Sequence, residues 1–482
     1  MKNDNLIKET ANGILWSFTS RFLQLGIQLV LTIILSRLLT PEDFATVGLL
    51  NVFTLLCAVI IDSGFGQALI RKVNLTEEDS STVFWINLGL GLLIYIVLYM
   101  MSPLISDFYN IEDLTTISRI VFCTLVINAA CLVPQSLLTR ELKFKPITIA
   151  SIVSLFISAV CGIIYAVIYK DVYALVVQMM VYSILNCILI NVFNKWHPRF
   201  IFSVRAAKDM LPFSLNLLGS GLLAVLFNNL YTLIIGKSFS QKELGYYTQA
   251  KKIEEIPSLS ITTIIQNVSY SSMAKVQNDT DRLKMAYLRI LSINLFIVVP
   301  LMSLCFVSSA EFIPFVFGTQ WLPIVPYFRI LCVYGAIFPL MSINVNILKV
   351  KGFGKDVLKL EIVRRVLMIV FLIATIRLSM DLMLSGWVIS MVISILYSFV
   401  VCEKKIDYRV SNQLKDILPY FMISIIPAIV ASLVDFIGLV LMATLVIKII
   451  VFSVTFFLMS IITKVPAFID LISILKTYIN KE

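Results

Sequence analysis

Apolar stretches of roughly 20 residues recur along the whole chain, each long enough to carry a helix across a ~30 Å hydrocarbon core. No water reaches backbone groups inside that core, so only helices or a closed barrel can satisfy them. Barrel strands would alternate polar and apolar residues over about 10 positions, and stretches such as 88–101 and 439–450 do not alternate. Helices are therefore predicted near 12–36, 44–70, 82–102, 115–138, 147–168, 172–193, 211–235, 245–270, 285–308, 323–348, 357–376, 382–402, 416–435 and 439–463. Composition agrees: 59% of the 482 residues are hydrophobic and 14% are charged, where a soluble domain carries about 25% charged residues. The expectation is an all-α integral membrane protein of about fourteen transmembrane helices.

The net charge of +10 is a topology signal and not a nucleic-acid footprint. With the amino terminus inside, 25 of the 39 Lys and Arg residues fall in cytoplasmic segments and five in the opposite loops. That split obeys the positive-inside rule along the entire chain and puts both termini in the cytoplasm. The first apolar block outruns a ~7–15-residue signal core and lacks a small-residue cleavage site, so it reads as a retained helix. The eight cysteines lie in apolar stretches without a CxxC pair, and the one histidine, His197, sits in a loop. No metal site or cofactor is expected from that pattern.

An internal repeat is visible. Segment 37–44 (RLLTPEDF) precedes segment 237–244 (KSFSQKEL) by 200 residues, and each joins two apolar blocks through a basic residue, a short turn and an acidic helix start. An offset of 210 pairs Arg119-Ile120 with Arg329-Ile330, Leu138 with Leu348 and Asp171 with Asp381. Blocks one to six and seven to twelve read as copies of one six-helix unit. An even helix number per copy makes the repeat parallel. The expected domains are an N-terminal lobe, 1–210, a C-terminal lobe, 211–410, and two added helices with a tail, 411–482.

Ionisable groups are costly in hydrocarbon, so they should face a water-filled cavity or a partner. In the first block Ser17, Arg21, Gln24, Gln28 and Thr32 recur every three or four residues and share a face. The second block carries Asn51, Thr54 and Asp62; the seventh, Ser220, Asn228 and Asn229. The eighth is the most polar, with Thr248, Lys251, Lys252, Glu255, Ser258, Thr262, Gln266 and Ser269. In the eleventh, Glu361 precedes Arg364 and Arg365 at ion-pair spacing. Arg21, Lys251, Lys252, Arg364 and Arg365 are the candidate cationic lining, with Gln24, Gln28, Asn51, Asn228 and Asn229 as polar lining. Asp62, Glu255 and Glu361 are candidate proton or cation sites. Bland readings stand beside these. Lys251 and Lys252 lie close enough to a helix end to snorkel, and Glu361 with the two arginines can form a self-satisfied structural group. Lys448 is placed against lipid phosphate, and Arg119 and Arg329 are read as structural.

A polar cavity with a cationic bias suits an anionic, hydroxyl-rich cargo: a diphosphate gains Coulomb energy from the cations and sugar hydroxyls find Asn, Gln, Ser and Thr. Segments 37–45 (RLLTPEDFA), 62–71 (DSGFGQALIR), 82–88 (TVFWINL), 134–144 (PQSLLTRELKF), 211–214 (LPFS) and 245–247 (GYY) resemble the Wzx/WzxC-type polysaccharide flippases. That group forms the polysaccharide-transport branch of the MOP exporter superfamily, with MATE drug exporters and the lipid II flippase as relatives. The resemblance spans about residues 10–400. It implies a V-shaped, MATE-like bundle of two six-helix lobes plus two C-terminal helices. The implied cargo is undecaprenyl-diphosphate-linked oligosaccharide, moved by alternating access from the cytoplasmic to the periplasmic leaflet of the bacterial inner membrane. Implied partners are membrane lipids, a polysaccharide polymerase and a chain-length regulator, without nucleic acid; the intramembrane carboxylates allow H+ or Na+ coupling, with membrane potential as the other drive. In the lipid II relative, arginines of helices one, two and eight line the cavity. Arg21 matches the first and Lys251/Lys252 the third, whereas Asn51 occupies the second and departs from the pattern.

A lipid scramblase without energy coupling is one alternative reading, and two other classes compete with the flippase reading. An ion-coupled exporter of small molecules would show an acidic, aromatic-lined pocket. An enzyme of the same pathway would carry a long external loop with acid–base residues, yet segments 103–114 and 309–322 are short and lack histidine. The reading is a transporter and not an enzyme.

Overall fold

The computed structural model describes residues 2–111, 113–406 and 408–470. The side chain of Ser17 and the tail carrying Lys476 and Lys481 lie outside the described residues. The helices, in chain order, are α1 (Lys2–Leu38), α2 (Pro41–Asp62), α3 (Phe65–Arg71), α4 (Glu77–Tyr109), α5 (Leu114–Arg140), α6 (Phe144–Tyr169), α7 (Tyr173–Asn194) and α8 (Val204–Ser238). They continue as α9 (Gln241–Lys275), α10 (Thr280–Val307), α11 (Ser309–Val316), α12 (Val325–Val350), α13 (Gly354–Thr375), α14 (Met380–Ile406), α15 (Val410–Ser432) and α16 (Leu441–Thr463). Short 3-10 turns cover Thr319–Ile324 and Leu433–Ile437. No strand occurs among the described residues.

Among the described residues twelve helices are long and apolar enough to cross a membrane. Of the fourteen blocks expected to span, α9 and α13 match the others in length but are too polar to qualify on composition. Both carry the charged candidates of the previous section. Many large apolar side chains on the qualifying helices are exposed, among them Leu93, Met100 and Leu104 of α4 and Ile164, Val167 and Ile168 of α6. Acyl chains, not water, suit such surfaces.

The block at 44–70 is broken rather than continuous. Ser63 and Gly64 adopt left-handed conformations, φ 43° and 73°, which end α2. The Asp62 carboxylate then accepts the Gly66 N–H at 3.0 Å at the start of α3. A hydropathy pattern does not see this break, because the turn residues Ser-Gly are short and the apolar run resumes at once.

The repeat is reproduced contact by contact. Thr40 and Asp43 cap α2 reciprocally, Thr40 N–H donating to Asp43 Oδ2 at 2.8 Å and Asp43 N–H to Thr40 Oγ1 at 3.4 Å. Two hundred residues later Ser240 N–H donates to Glu243 Oε2 at 3.0 Å and Glu243 N–H to Ser240 Oγ at 3.2 Å. The turn after α5 has Lys143 N–H on the Leu138 carbonyl at 2.9 Å, and the turn after α12 has Phe353 N–H on that of Leu348, also at 2.9 Å. Both pass through a left-handed residue, Leu142 and Gly352. Arg119 donates to Ser102 Oγ at 2.9 Å and lies over Tyr99; Arg329 donates to Ser309 Oγ at 2.8 Å and lies over Phe306. The structural reading of these two arginines holds.

The chain packs as two compact units, 1–248 and 249–482. In the first, α4 and α5 approach through Gly91 against Ala129, where a Cβ on the glycine would stand 3.0 Å from the alanine methyl. The helix α8 packs on α2, α3 and α4. The loop after α7 is strapped to α4: Trp85 Nε1 donates to the Arg199 carbonyl at 2.8 Å, Ser81 Oγ accepts from Arg199 N–H at 3.1 Å, and Thr82 Oγ1 from Ser203 N–H at 3.0 Å. Arg140 closes the turn after α3 by donating to the carbonyls of Leu69 at 2.7 Å, Val73 at 2.9 Å and Lys72. Motif residues Thr82, Trp85 and Arg140 thus act as local fasteners.

In the second unit a buried polar spine ties three helices. Tyr287 of α10 donates to Asn344 Oδ1 of α12 at 2.6 Å, and Asn344 Nδ2 donates to Ser398 Oγ of α14 at 2.8 Å. Lys448 of α16 is 1% exposed, which overturns its placement against lipid phosphate. Its Nζ lies 2.8 Å from Glu311 of α11, 2.7 Å from Asp435 and 3.1 Å from the Val307 carbonyl. Two carboxylates hold this ammonium more cheaply than a headgroup reached from inside the bundle.

Candidate functional site

The polar stripe of α1 divides when packing is considered. Arg21 and Gln28 are exposed, Gln24 is half-buried and donates to Ser20 Oγ at 3.1 Å, and Thr32 is buried in the unit interior. Among the described residues Arg21 has no ion-pair or hydrogen-bond partner. On α2, Asn51 is exposed; on α8, Asn228 is exposed and Asn229 donates to the Val225 carbonyl at 2.9 Å. Of the polar candidates, Asn229 is therefore spent on its own helix, a bond that holds the side chain along the backbone.

On α9 the adjacent lysines differ. Lys251 is largely buried and pairs with Glu255 at 3.7 Å. Lys252 is exposed and has no ion-pair partner among the described residues. Farther along α9 the stripe turns inward: Ser258, Thr262 and Ser269 are buried, Thr262 Oγ1 donates to Asn294 Oδ1 at 3.4 Å, and Gln266 Nε2 to the Ser342 carbonyl at 3.0 Å. These groups bind helix to helix. On α13, Glu361 accepts from Arg364 at 2.7 Å and lies 3.7 Å from Arg365. The eleventh block thus carries a cluster in which one carboxylate is shared by two guanidiniums, leaving a net charge of +1.

The three acidic candidates are each engaged: Asp62 with the Gly66 N–H, Glu255 with Lys251, Glu361 with both arginines. Asp62 forms no ion pair among the described residues, and neither does a second, more deeply buried carboxylate, Glu254, which sequence reasoning passed over. It is 3% exposed, forms no ion pair among the described residues, and accepts from Ser258 Oγ. Glycine at 335 makes room for it, since a Cβ there would crowd Glu254 Oε1 and stand 2.9 Å from the Met302 sulfur. The signal was in the register: stepping back by four from Gln266, Thr262 and Ser258 leads to Glu254 and not to Glu255.

Among the described residues the chain is all-helical, with twelve spans apolar and long enough to cross a bilayer, which defines a multi-pass membrane protein. Its fold is similar to that of the lipid II flippase MurJ in an inward closed conformation, with a TM-score of 0.73 and 16% identity over 95% of this chain and 100% of that one. It also resembles an inward-facing multidrug resistance MATE family transporter of the MOP superfamily, with a TM-score of 0.64 and 17% identity over 80% of this chain and 94% of that one. The chain belongs to the polysaccharide biosynthesis protein family, which matches residues 34–326. Relatives include the teichuronic acid biosynthesis protein TuaB of Bacillus subtilis, 29% identical over 72% of each chain. The lipopolysaccharide biosynthesis protein WzxC of Escherichia coli is 25% identical over 69% of this chain and 68% of its own.

Proposed function

We propose that this protein is a flippase that moves undecaprenyl-diphosphate-linked oligosaccharide repeat units from the cytoplasmic to the periplasmic leaflet of a bacterial inner membrane. The observation that carries the reading is the pair of exposed cations left without a counter-charge, Arg21 in one unit and Lys252 in the other. A cation that the protein does not neutralise on a polar helix face is available to an anionic head group. Membership of the family supplies the glycan class. Both termini lie in the cytoplasm on this reading, α9 and α13 span with their polar faces toward water, and transport is the activity rather than catalysis. Polymerase and chain-length regulator are the partners that would receive the cargo.

The small-molecule exporter reading fares worse. Cation export calls for exposed carboxylates free to hold the cargo, and Glu255 and Glu361 are already paired with cations of the chain. Coupling to H+ or Na+ falls to a carboxylate free of such pairing, a condition that Asp62 and the more deeply buried Glu254 both meet.

Removing one charge-assisted contact costs about 1.5–3 kcal/mol, which is about 10- to 100-fold in cargo affinity. In a strain lacking the gene, complete undecaprenyl-linked repeat units should accumulate on the cytoplasmic face. Wild-type protein should clear them, while Arg21→Ala and Lys252→Ala variants at normal protein level should be at least tenfold slower, by about one lost contact each. Clearance by both variants at the wild-type rate would sink the reading.

A further inference from the structure

Within the first unit an apolar groove of about 260 Å³ opens between α4, α8 and the loop that precedes α8. Ile86 and Leu90 of α4, Phe202 of the loop, and Leu211 and Leu215 of α8 line it, with one charged residue, Lys208. Phe202, Leu211 and Leu215 are exposed, so the groove is open to its surroundings. The loop beside it carries Phe200, 93% exposed and stacked on Trp85 at 5.0 Å. Aromatic rings of this kind mark the headgroup level of a bilayer.

Two polar features at different depths say what fills the groove. Lys208 and Arg205 stand one turn apart on α8, both exposed, at the end of the helix that precedes its apolar span, Leu217–Ser238. Six residues on, about 9 Å along the axis toward that span, Ser214 belongs to the groove wall, and its Oγ is buried beneath the surface without a hydrogen-bond partner. A buried hydroxyl left unpaired is costly, and a ligand acceptor removes the cost. We infer that the groove binds one anionic phospholipid. Its phosphate meets Lys208 and Arg205, an ester carbonyl one glycerol deeper accepts from Ser214, and an acyl chain fills the apolar walls. An isoprenoid phosphate also offers an anionic phosphate but no oxygen below it, so Ser214 separates the two lipids. The inference needs only the membrane setting of the chain and stands apart from the glycan cargo.

The test uses the purified full-length protein in detergent, titrated with dioleoyl phosphatidylglycerol, dioleoyl phosphatidylcholine or undecaprenyl phosphate, with bound lipids counted by native mass spectrometry. Phosphatidylglycerol should leave one tightly held copy. Lys208→Ala should weaken that copy about tenfold, as expected for one charge-assisted contact, and weaken phosphatidylcholine, whose choline offsets the phosphate charge, by less. Ser214→Ala should weaken both diacyl lipids and not undecaprenyl phosphate, and Leu211→Trp, which fills the groove, should abolish the tight copy. Lipid-free Tm values of the variants separate lost binding from lost folding. Equal phosphatidylglycerol retention by wild type and Lys208→Ala would reduce the groove to ordinary annular contact. Undecaprenyl phosphate displacing phosphatidylglycerol, with Ser214→Ala indifferent, would overturn the assignment in favour of the isoprenoid carrier. Neither result bears on glycan accumulation in the deletion strain, so the two readings fail separately.

Discussion

Replacing Lys448 with methionine is expected to destabilise the protein by about 3–5 kcal/mol, the usual cost of deleting one partner of a buried ion pair. The methionine keeps most of the volume and removes the charge. Glu311 then sits largely buried without a cation, and its second oxygen, Oε2, is already buried and unpartnered. The lysine also holds Asp435 and the last carbonyl of α10, so one substitution loosens α10, α11, α16 and the 3-10 turn together. The measurement is thermal unfolding of detergent-solubilised protein, with folded yield as a second readout. A double variant, Lys448→Met with Glu311→Gln, should recover much of the loss, because neither side of the pair then carries a buried charge. A Tm for Lys448→Met equal to wild type would show that the cluster does not bind the C-terminal helix pair to its unit.

Substituting alanine for Gly245 should be as damaging, for a steric reason. The two equivalent capping turns meet here: a Cβ on Gly245 would stand 1.9 Å from the Pro41 carbonyl oxygen and 2.6 Å from its carbon. Gln241 Nε2 bridges the same place, donating to the Glu42 carbonyl at 3.2 Å and to Thr46 Oγ1 at 2.9 Å. Backbone lies on both sides, so no rotamer relieves the contact, and the cost is expected at or above the ~1–3 kcal/mol typical of overpacking. Gly219 is the control: nothing lies within 4 Å of its would-be Cβ. There alanine should be neutral or stabilising by about 0.5–1 kcal/mol, the helical penalty of glycine. Equal Tm values for the two alanine variants would contradict the close approach of α2 and α9.

Several features were written locally and were legible. Hydropathy and loop length set the helices, since the bilayer demands about twenty apolar residues whatever packs against them. The duplicated turns were readable because a cap such as Thr40–Asp43 or Ser240–Glu243 is satisfied within four residues. The pairing of Glu361 with Arg364 followed from helical spacing alone.

What a polar side chain does inside the bundle was decided elsewhere. Periodicity assigns residues to a face, but neighbouring helices decide whether that face meets water, lipid or another helix. Thr32 and Arg21 share a stripe, yet one is buried and the other exposed. Glu254 and Glu255 are adjacent and about 100° apart around α9; Gly335 on α12 leaves the space that buries the first, while the second reaches Lys251. Lys448 reads as a lipid-facing cation until Glu311, more than a hundred positions earlier, and Asp435, thirteen positions earlier, come to it. Sequence alone determined the membrane class, the helices and the repeat, because the bilayer and the helix ends act on local segments. Only the tertiary structure decided which charges stay free, because compensation depends on partners that folding brings from distant parts of the chain.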